Sequence, residues 1–135
     1  MTLRRKSREF ALQMLFEWDV TRQETGRVEK EFWKSAGAAD STRKFANQLF
    51  EGTVAQAESI DQLVAKLAEN WRLERLAAVD RSILRLAIYE IRSGTAPPNV
   101  VIDEALELAK KFSSAEAPAF LNGILDAAYK TLEPK

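Results

Sequence analysis

Apolar residues recur along this chain with a helical period almost everywhere. The first stretch runs from about Leu3 to Val20. Phe10, Ala11, Met14, Leu15 and Trp18 form its stripe, Leu12 and Phe16 widen it, and Glu9, Gln13 and Glu17 leave only a narrow polar edge. A helix apolar on most of its circumference is expected to pack centrally against several others. A polar stretch with Gly26 follows, then a short helix around Val28 to Ser35 and a loop near Gly37. Asp40, Ser41 and Thr42 are N-cap residue types, and Phe45, Leu49, Phe50 and Val54 give the helix after them an apolar side. Gly52 lies inside that helix at a cost of about 1 kcal/mol relative to alanine, which predicts close approach of another backbone.

Ser59 and Gln62 have the spacing of a capping box and open a stretch with Ile60, Leu63, Val64, Leu67 and Trp71 on one face. A break around Arg72 to Ala77 precedes a helix carrying Val79, Ile83, Leu86, Ala87 and Ile91. Arg92 falls in its last turn and Gly94 just beyond, a stop signal. Pro97-Pro98 forces an extended connection. Val101, Ala105, Leu108, Ala109 and Phe112 define the next helix. Ser113 and Glu116 repeat the capping-box spacing, Pro118 suits a first turn, and Phe120, Leu121, Ile124 and Ala128 complete the last helix. No alternating strand pattern, short repeat or sustained heptad is present. The reading is all-α: five long helices plus minor ones in a compact bundle, one domain over residues 1–135.

Composition narrows the chemistry. The chain has no cysteine and no histidine, which removes thiol nucleophiles, imidazole bases, disulfides and Cys/His zinc sites. No apolar run reaches the roughly 20 residues of a membrane span, and the interrupted apolar stretch after the charged start does not read as a secretory signal, so a cytoplasmic location is expected. The 20 bases and 20 acids cancel, but unevenly. Arg4, Arg5, Lys6 and Arg8 fall in the first eight residues with no acid, leaving 16 bases against 20 acids in the remainder. A basic arm on a slightly acidic body suits a local polyanion contact.

In a helix starting near Leu3, Arg4 and Arg8 share a face, as do Arg5 and Arg8. Guanidinium groups bind phosphate through paired donors; a merely solvated basic terminus is the alternative, and the pattern does not choose. Phe120, at a helix start beside small residues, suits either core packing or stacking on an unpaired base. Phe16 reads as core. Lys110 and Lys111 fit a helix C-terminus, and Asp103, Glu104 and Glu107 a helix N-terminus, without further function. Asn122 and Gly123 read as structural, the glycine as a site of close helix packing. The acids form no evident general acid/base pair, and the five glycines form no phosphate loop, so no enzyme, metal or cofactor is expected.

Three stretches together resemble the NusB family. They are Arg4-Arg5-Lys6-Ser7-Arg8-Glu9-Phe10-Ala11-Leu12-Gln13; Val79-Asp80-Arg81-Ser82-Ile83-Leu84-Arg85-Leu86-Ala87-Ile88-Tyr89-Glu90; and Pro98 through Val101-Ile102-Asp103-Glu104-Ala105-Leu106-Glu107-Leu108-Ala109-Lys110, continuing to Phe120-Leu121-Asn122-Gly123-Ile124-Leu125-Asp126. The resemblance spans nearly the whole chain. It implies two packed helical subbundles and transcription antitermination without catalysis. The implied RNA is the boxA element of nascent ribosomal RNA transcripts. The implied partner is the tenth small-subunit ribosomal protein, acting as NusE, and the pair would join an antitermination complex at RNA polymerase. The RNA role would fall on Arg4, Arg5, Lys6, Arg8 and Phe120, and the partner surface on Phe16, Glu74, Asp80 and Glu116. Phe16 stands where the family pattern has a tyrosine, Glu116 where it has an aspartate, and Ala119 where it has a lysine.

Two other readings are compatible with the pattern. One is a stand-alone relative of the helical accessory domain of ribosomal RNA methyltransferases; a catalytic version is not expected, since the chain carries no methyl-donor motif and ends at Lys135. The other is a helical adaptor that binds only protein. A homodimer that covers the RNA face is also compatible with the sequence.

Overall fold

A computed structural model describes residues 2–68 and 75–132. Among the described residues there are seven helices and no strand: α1 Leu3–Thr21, α2 Thr25–Ser35, α3 Asp40–Ala55, α4 Ala57–Leu67, α5 Ala78–Ser93, α6 Pro98–Phe112 and α7 Ala117–Leu132. α1, α2 and α3 pack together as one subbundle, and α4 to α7 as a second. The two are joined chiefly where α5 meets α1 and α3. The all-helical, two-subbundle expectation therefore holds.

α1 packs against α2, α3 and α5, as its broad apolar surface requires. α5 is buried more completely: every residue from Ser82 to Ile88 is inside. Its core partners include Leu12 and Leu15 of α1, Leu49 and Phe50 of α3, Ile60 of α4, and Leu121 and Leu125 of α7. α5 stops as expected at Gly94, whose left-handed φ of 70° turns its N–H back to the Glu90 carbonyl at 2.9 Å.

Several helix starts differ from the sequence expectation. α2 begins at Thr25, a turn earlier than expected. Ala39 is the N-cap of α3, so Ser41 and Thr42 lie inside the first turn. α4 begins at Ala57, separated from α3 only by Gln56; Ser59 is within it, its hydroxyl donating to the Gln56 carbonyl. Ser113 is the C-cap of α6, and its hydroxyl donates to Asp80 at 2.6 Å instead of capping α7. Gly52 does mark a close approach, but by the Tyr89 ring of α5, which a Cβ at that position would overlap. Gly123 is exposed with open space beside it, so close packing is not its reason. The expected break around Arg72 to Ala77, and Trp71 before it, lie largely outside the described residues.

Charged side chains also enter the interior. Asp19 of α1 accepts from Arg81 at 2.7 Å and from Arg85 at 2.6 Å, while Arg85 makes a paired contact with Asp61 of α4 at 2.8 and 2.9 Å. Burial opposes ionisation of Asp19, but the hydrogen bonds from Arg81 and Arg85 override it and hold the carboxyl below its ordinary range. This network locks the C-terminal half of α1 to α4 and α5.

Candidate nucleic-acid and partner interfaces

The basic arm is not a loose tail: it is the first two turns of α1. Thr2 caps the helix, its hydroxyl accepting from the Arg5 N–H at 3.1 Å. The first turn holds no acid, so the positive end of the helix dipole adds to the side-chain charge. Arg4, Arg5 and Lys6 are exposed. Each also has a defined rest position. Arg4 donates to the Thr95 carbonyl at 2.9 Å and lies 4.8 Å from the Phe45 ring centroid. Arg5 forms a paired contact with Glu104 of α6 at 2.9 and 3.0 Å. The Lys6 ammonium is 4.9 Å from the Phe10 ring centroid. Exposed pairs of this kind contribute about 1 kcal/mol or less, so a phosphate can displace them.

Arg8 departs from the sequence expectation of four accessible bases. Its side chain is only 4% exposed and faces the Glu90 carboxylate of α5, itself 2% exposed. Three N–H···O contacts of 2.9, 2.9 and 3.1 Å join them, and the Thr95 hydroxyl donates to the same carboxylate at 2.8 Å. In this arrangement the Nε and Nη2 donors of Arg8 are committed to Glu90. Arg8 positions the arm by fixing α1 against α5. Glu9, expected on the polar edge, is also buried and accepts from Lys111 at 2.9 Å.

The signal for this pair lay in the spacing. Arg8 stands three, four and seven residues before Ala11, Leu12 and Leu15, within the apolar stripe. Glu90 stands in the same relation to Ala87, Leu86 and Ile83. Opposite charges in the apolar stripes of two helices point to a buried pair.

Two turns along α1 from the arm, Phe16 projects from the bundle and is 46% exposed. Its expectation as a core residue therefore fails. With Leu12, Gln13, Val79 and Phe112 it lines a largely apolar groove of about 350 Å³ between α1, α5 and α6. Asp80 follows the lining residue Val79 and is tied to Ser113, the residue after Phe112, and Glu116 is exposed three residues further on. The structure thus places Phe16 in the groove and Asp80 next in sequence to one of its lining residues. Glu74 lies outside the described residues. Phe120 is half-buried in the first turn of α7, in the other subbundle from the arm, with Ala119, Asn122 and Gly123 exposed around it.

Among the described residues no group of acids is arranged to hold a metal ion, and no helix is long and apolar enough to cross a membrane. What α1 displays is a cationic start and, further along, one wall of a largely apolar groove. The class so defined is a two-subbundle helical domain with separate charged and apolar surfaces.

The chain belongs to the NusB family, whose model matches residues 5–130. It is 48% identical over 132 residues to the transcription antitermination protein NusB of Koribacter versatilis, covering 96% of this chain and 90% of that protein. Among solved structures it is similar to T. maritima NusB, with a TM-score of 0.87 and 32% identity over 99% of this chain and 95% of the other. It is equally similar, with a TM-score of 0.87 and 28% identity over 97% and 98% of the two chains, to a structure of the antitermination factors NusB and NusE in complex with double-stranded RNA.

Proposed function

We propose that this chain is a transcription antitermination factor that binds the boxA element of nascent ribosomal RNA as a heterodimer with the ribosomal protein NusE. Arg4, Arg5 and Lys6 hold RNA phosphates, and Phe120 stacks on or abuts a base. The groove around Phe16, with Asp80, Glu116 and Glu74, takes NusE. The loaded pair then joins an antitermination complex at RNA polymerase in the cytoplasm. The chain contributes binding surfaces and no catalytic step.

The observation that carries this reading is the separation of the two faces on one rigid helix. The cationic start of α1 and the exposed Phe16 do not compete for the same ligand, so RNA and protein can be held together. Likeness to a solved NusB–NusE complex with RNA supports the same pair of partners. Three cations give phosphate affinity but little base selection. Sequence preference therefore falls to bases splayed against Phe120 and to the partner protein.

Fluorescence-anisotropy titration tests this reading, with boxA and scrambled RNA, with and without NusE, at two salt concentrations. The expected result is preference for boxA, tighter binding by the heterodimer than by the chain alone, and loss of binding in R4Q/R5Q/K6Q. Equal affinity of the chain and the heterodimer for both RNAs would remove the proposal. Intact NusE binding with no RNA binding would leave a protein-only adaptor.

A further inference from the structure

The start of α1 is flanked by a second cationic surface, built from α2 and α3. Phe10 of α1 meets Phe32 and Trp33 of α2 edge-on, with centroids 5.7 and 5.2 Å away. The Trp33 indole N–H donates to Asn47 of α3 at 2.8 Å, which fixes the ring. The Arg43 guanidinium lies 5.2 Å from the Trp33 centroid, as Lys6 lies over Phe10 and Arg4 over Phe45. A buried hydrogen bond of 3.0 Å from the Ser7 hydroxyl to the Thr42 carbonyl ties the second turn of α1 to the residue just before Arg43. The cations of the arm and Arg43 are thus seated on a continuous packed surface.

Arg43, Lys30 and Lys34 are exposed, and with Gly26, Glu29 and Trp33 they line an open depression of about 420 Å³. Its lining holds three cations and one acid. Burial, and then the neighbouring Glu51 carboxyl, push Glu29 up to about 8, so it is largely uncharged at neutral pH. Lys34 has an exposed partner in Glu31 at 3.0 Å, an easily exchanged pair. Aromatic seating orders a cation without using its hydrogen-bond donors, which stay available to an anion.

We propose that the α2–α3 face is a second phosphate-binding subsite, which carries the RNA backbone onward from the first turns of α1 through Arg43, Lys30 and Lys34. This inference rests on the RNA-binding reading above and adds a path for nucleotides flanking the recognised element. Its chemistry is that of the sugar–phosphate backbone, so it is indifferent to the flanking sequence.

The test compares the salt dependence of binding for the full chain with NusE and two RNAs, boxA alone and boxA with single-stranded flanks on both sides. Each phosphate contact to a single strand contributes about 0.7 to the slope of log affinity against log salt. K30Q/K34Q/R43Q should lower that slope by about 2 for the flanked RNA and leave bare boxA unchanged. Between 50 and 200 mM salt this corresponds to roughly a 16-fold smaller loss of affinity in the variant. R43K, which keeps the charge above Trp33, should retain the Arg43 share of the slope, and near-ultraviolet circular dichroism checks that the aromatic cluster is intact. An unchanged slope with the flanked RNA, while R4Q/R5Q/K6Q still abolishes binding, would overturn the subsite alone. Unchanged binding in R4Q/R5Q/K6Q would overturn the RNA reading itself and the subsite with it.

Discussion

Replacing Arg8 by methionine separates a structural role from an RNA-contacting one. The substitution keeps the aliphatic stem and removes three contacts to Glu90. Glu90 would then be a carboxylate with 2% exposure and one remaining donor, the Thr95 hydroxyl. Removing one partner of a buried ion pair costs about 3–5 kcal/mol, because the other charge stays buried and uncompensated. Domains of this kind have stabilities on the order of 5–15 kcal/mol, so the loss is a large fraction of the total. Arg5→Met is the control: its pair with Glu104 is 45% and 18% exposed and screened by solvent, and its removal should cost far less than that of Arg8. In R8M/E90M both charges are gone, and most of the lost stability should return. Urea unfolding of the parent, R8M, E90M and R8M/E90M, with R5M as the control, followed by circular dichroism, gives the cycle directly. R8M/E90M should also bind RNA like the parent once folded, whereas R5M should not. A cost for R8M as small as that for R5M, or an RNA defect that persists in the stable double variant, would refute the structural assignment of Arg8.

Three further outcomes follow from individual contacts. Glu104→Gln removes the carboxylate that holds Arg5 in the free protein, so RNA affinity should rise several-fold at low salt, and an unchanged or lower affinity in anisotropy titration would count against the arm as the phosphate site. Glu29 is raised from 4.5 to about 8, so the native state binds the extra proton, and stability should fall as pH rises from about 4.5 through about 8 and then level off. Glu29→Gln mimics the protonated form and should flatten that decline, which unfolding curves across the same range would show; an unaltered pH profile would contradict the burial of Glu29 against Glu51. Gly52→Ala gains about 1 kcal/mol of helix propensity but drives a methyl into the Tyr89 ring, for a net loss of up to about 2 kcal/mol. That loss should shrink when Tyr89→Leu is added, and strict additivity of the two changes in thermal unfolding would argue against the contact.

The fold class was legible because periodicity and breakers agree along most of the chain. Leu3, Gly94 and Pro97-Pro98 bound helices where the pattern placed them. Cap residues misled more often. Ser59 and Ser113 have cap chemistry and cap spacing, yet Ser59 turns back to the carbonyl of Gln56 between α3 and α4, and Ser113 is captured by Asp80 from another helix. Tertiary partners decide such hydroxyls, and a local pattern does not contain them. Phe16 shows a related limit. An all-round apolar helix does not reveal which side the bundle leaves uncovered, and here that side is the groove with Val79 and Phe112. Arg4, Arg5 and Lys6 were readable as a cluster. Arg8 was grouped with them by sign and adjacency, although its spacing to Leu12 and Leu15 placed it on the buried face. The aromatic seating of Arg43 on Trp33 joins residues from two helices and has no signature within either.

The central claim is that one helix carries an RNA face at its start and a protein face two turns later. Amide chemical-shift mapping of the labelled chain, titrated separately with boxA RNA and with NusE, tests it most directly. RNA should perturb Leu3 to Ser7 and Phe45, on which Arg4 rests, with Phe120 as a separate patch; NusE should perturb Leu12 to Phe16, Val79-Asp80 and Phe112 to Glu116. Shifts from both ligands confined to one of these surfaces, or RNA shifts centred on Phe16, would contradict the account.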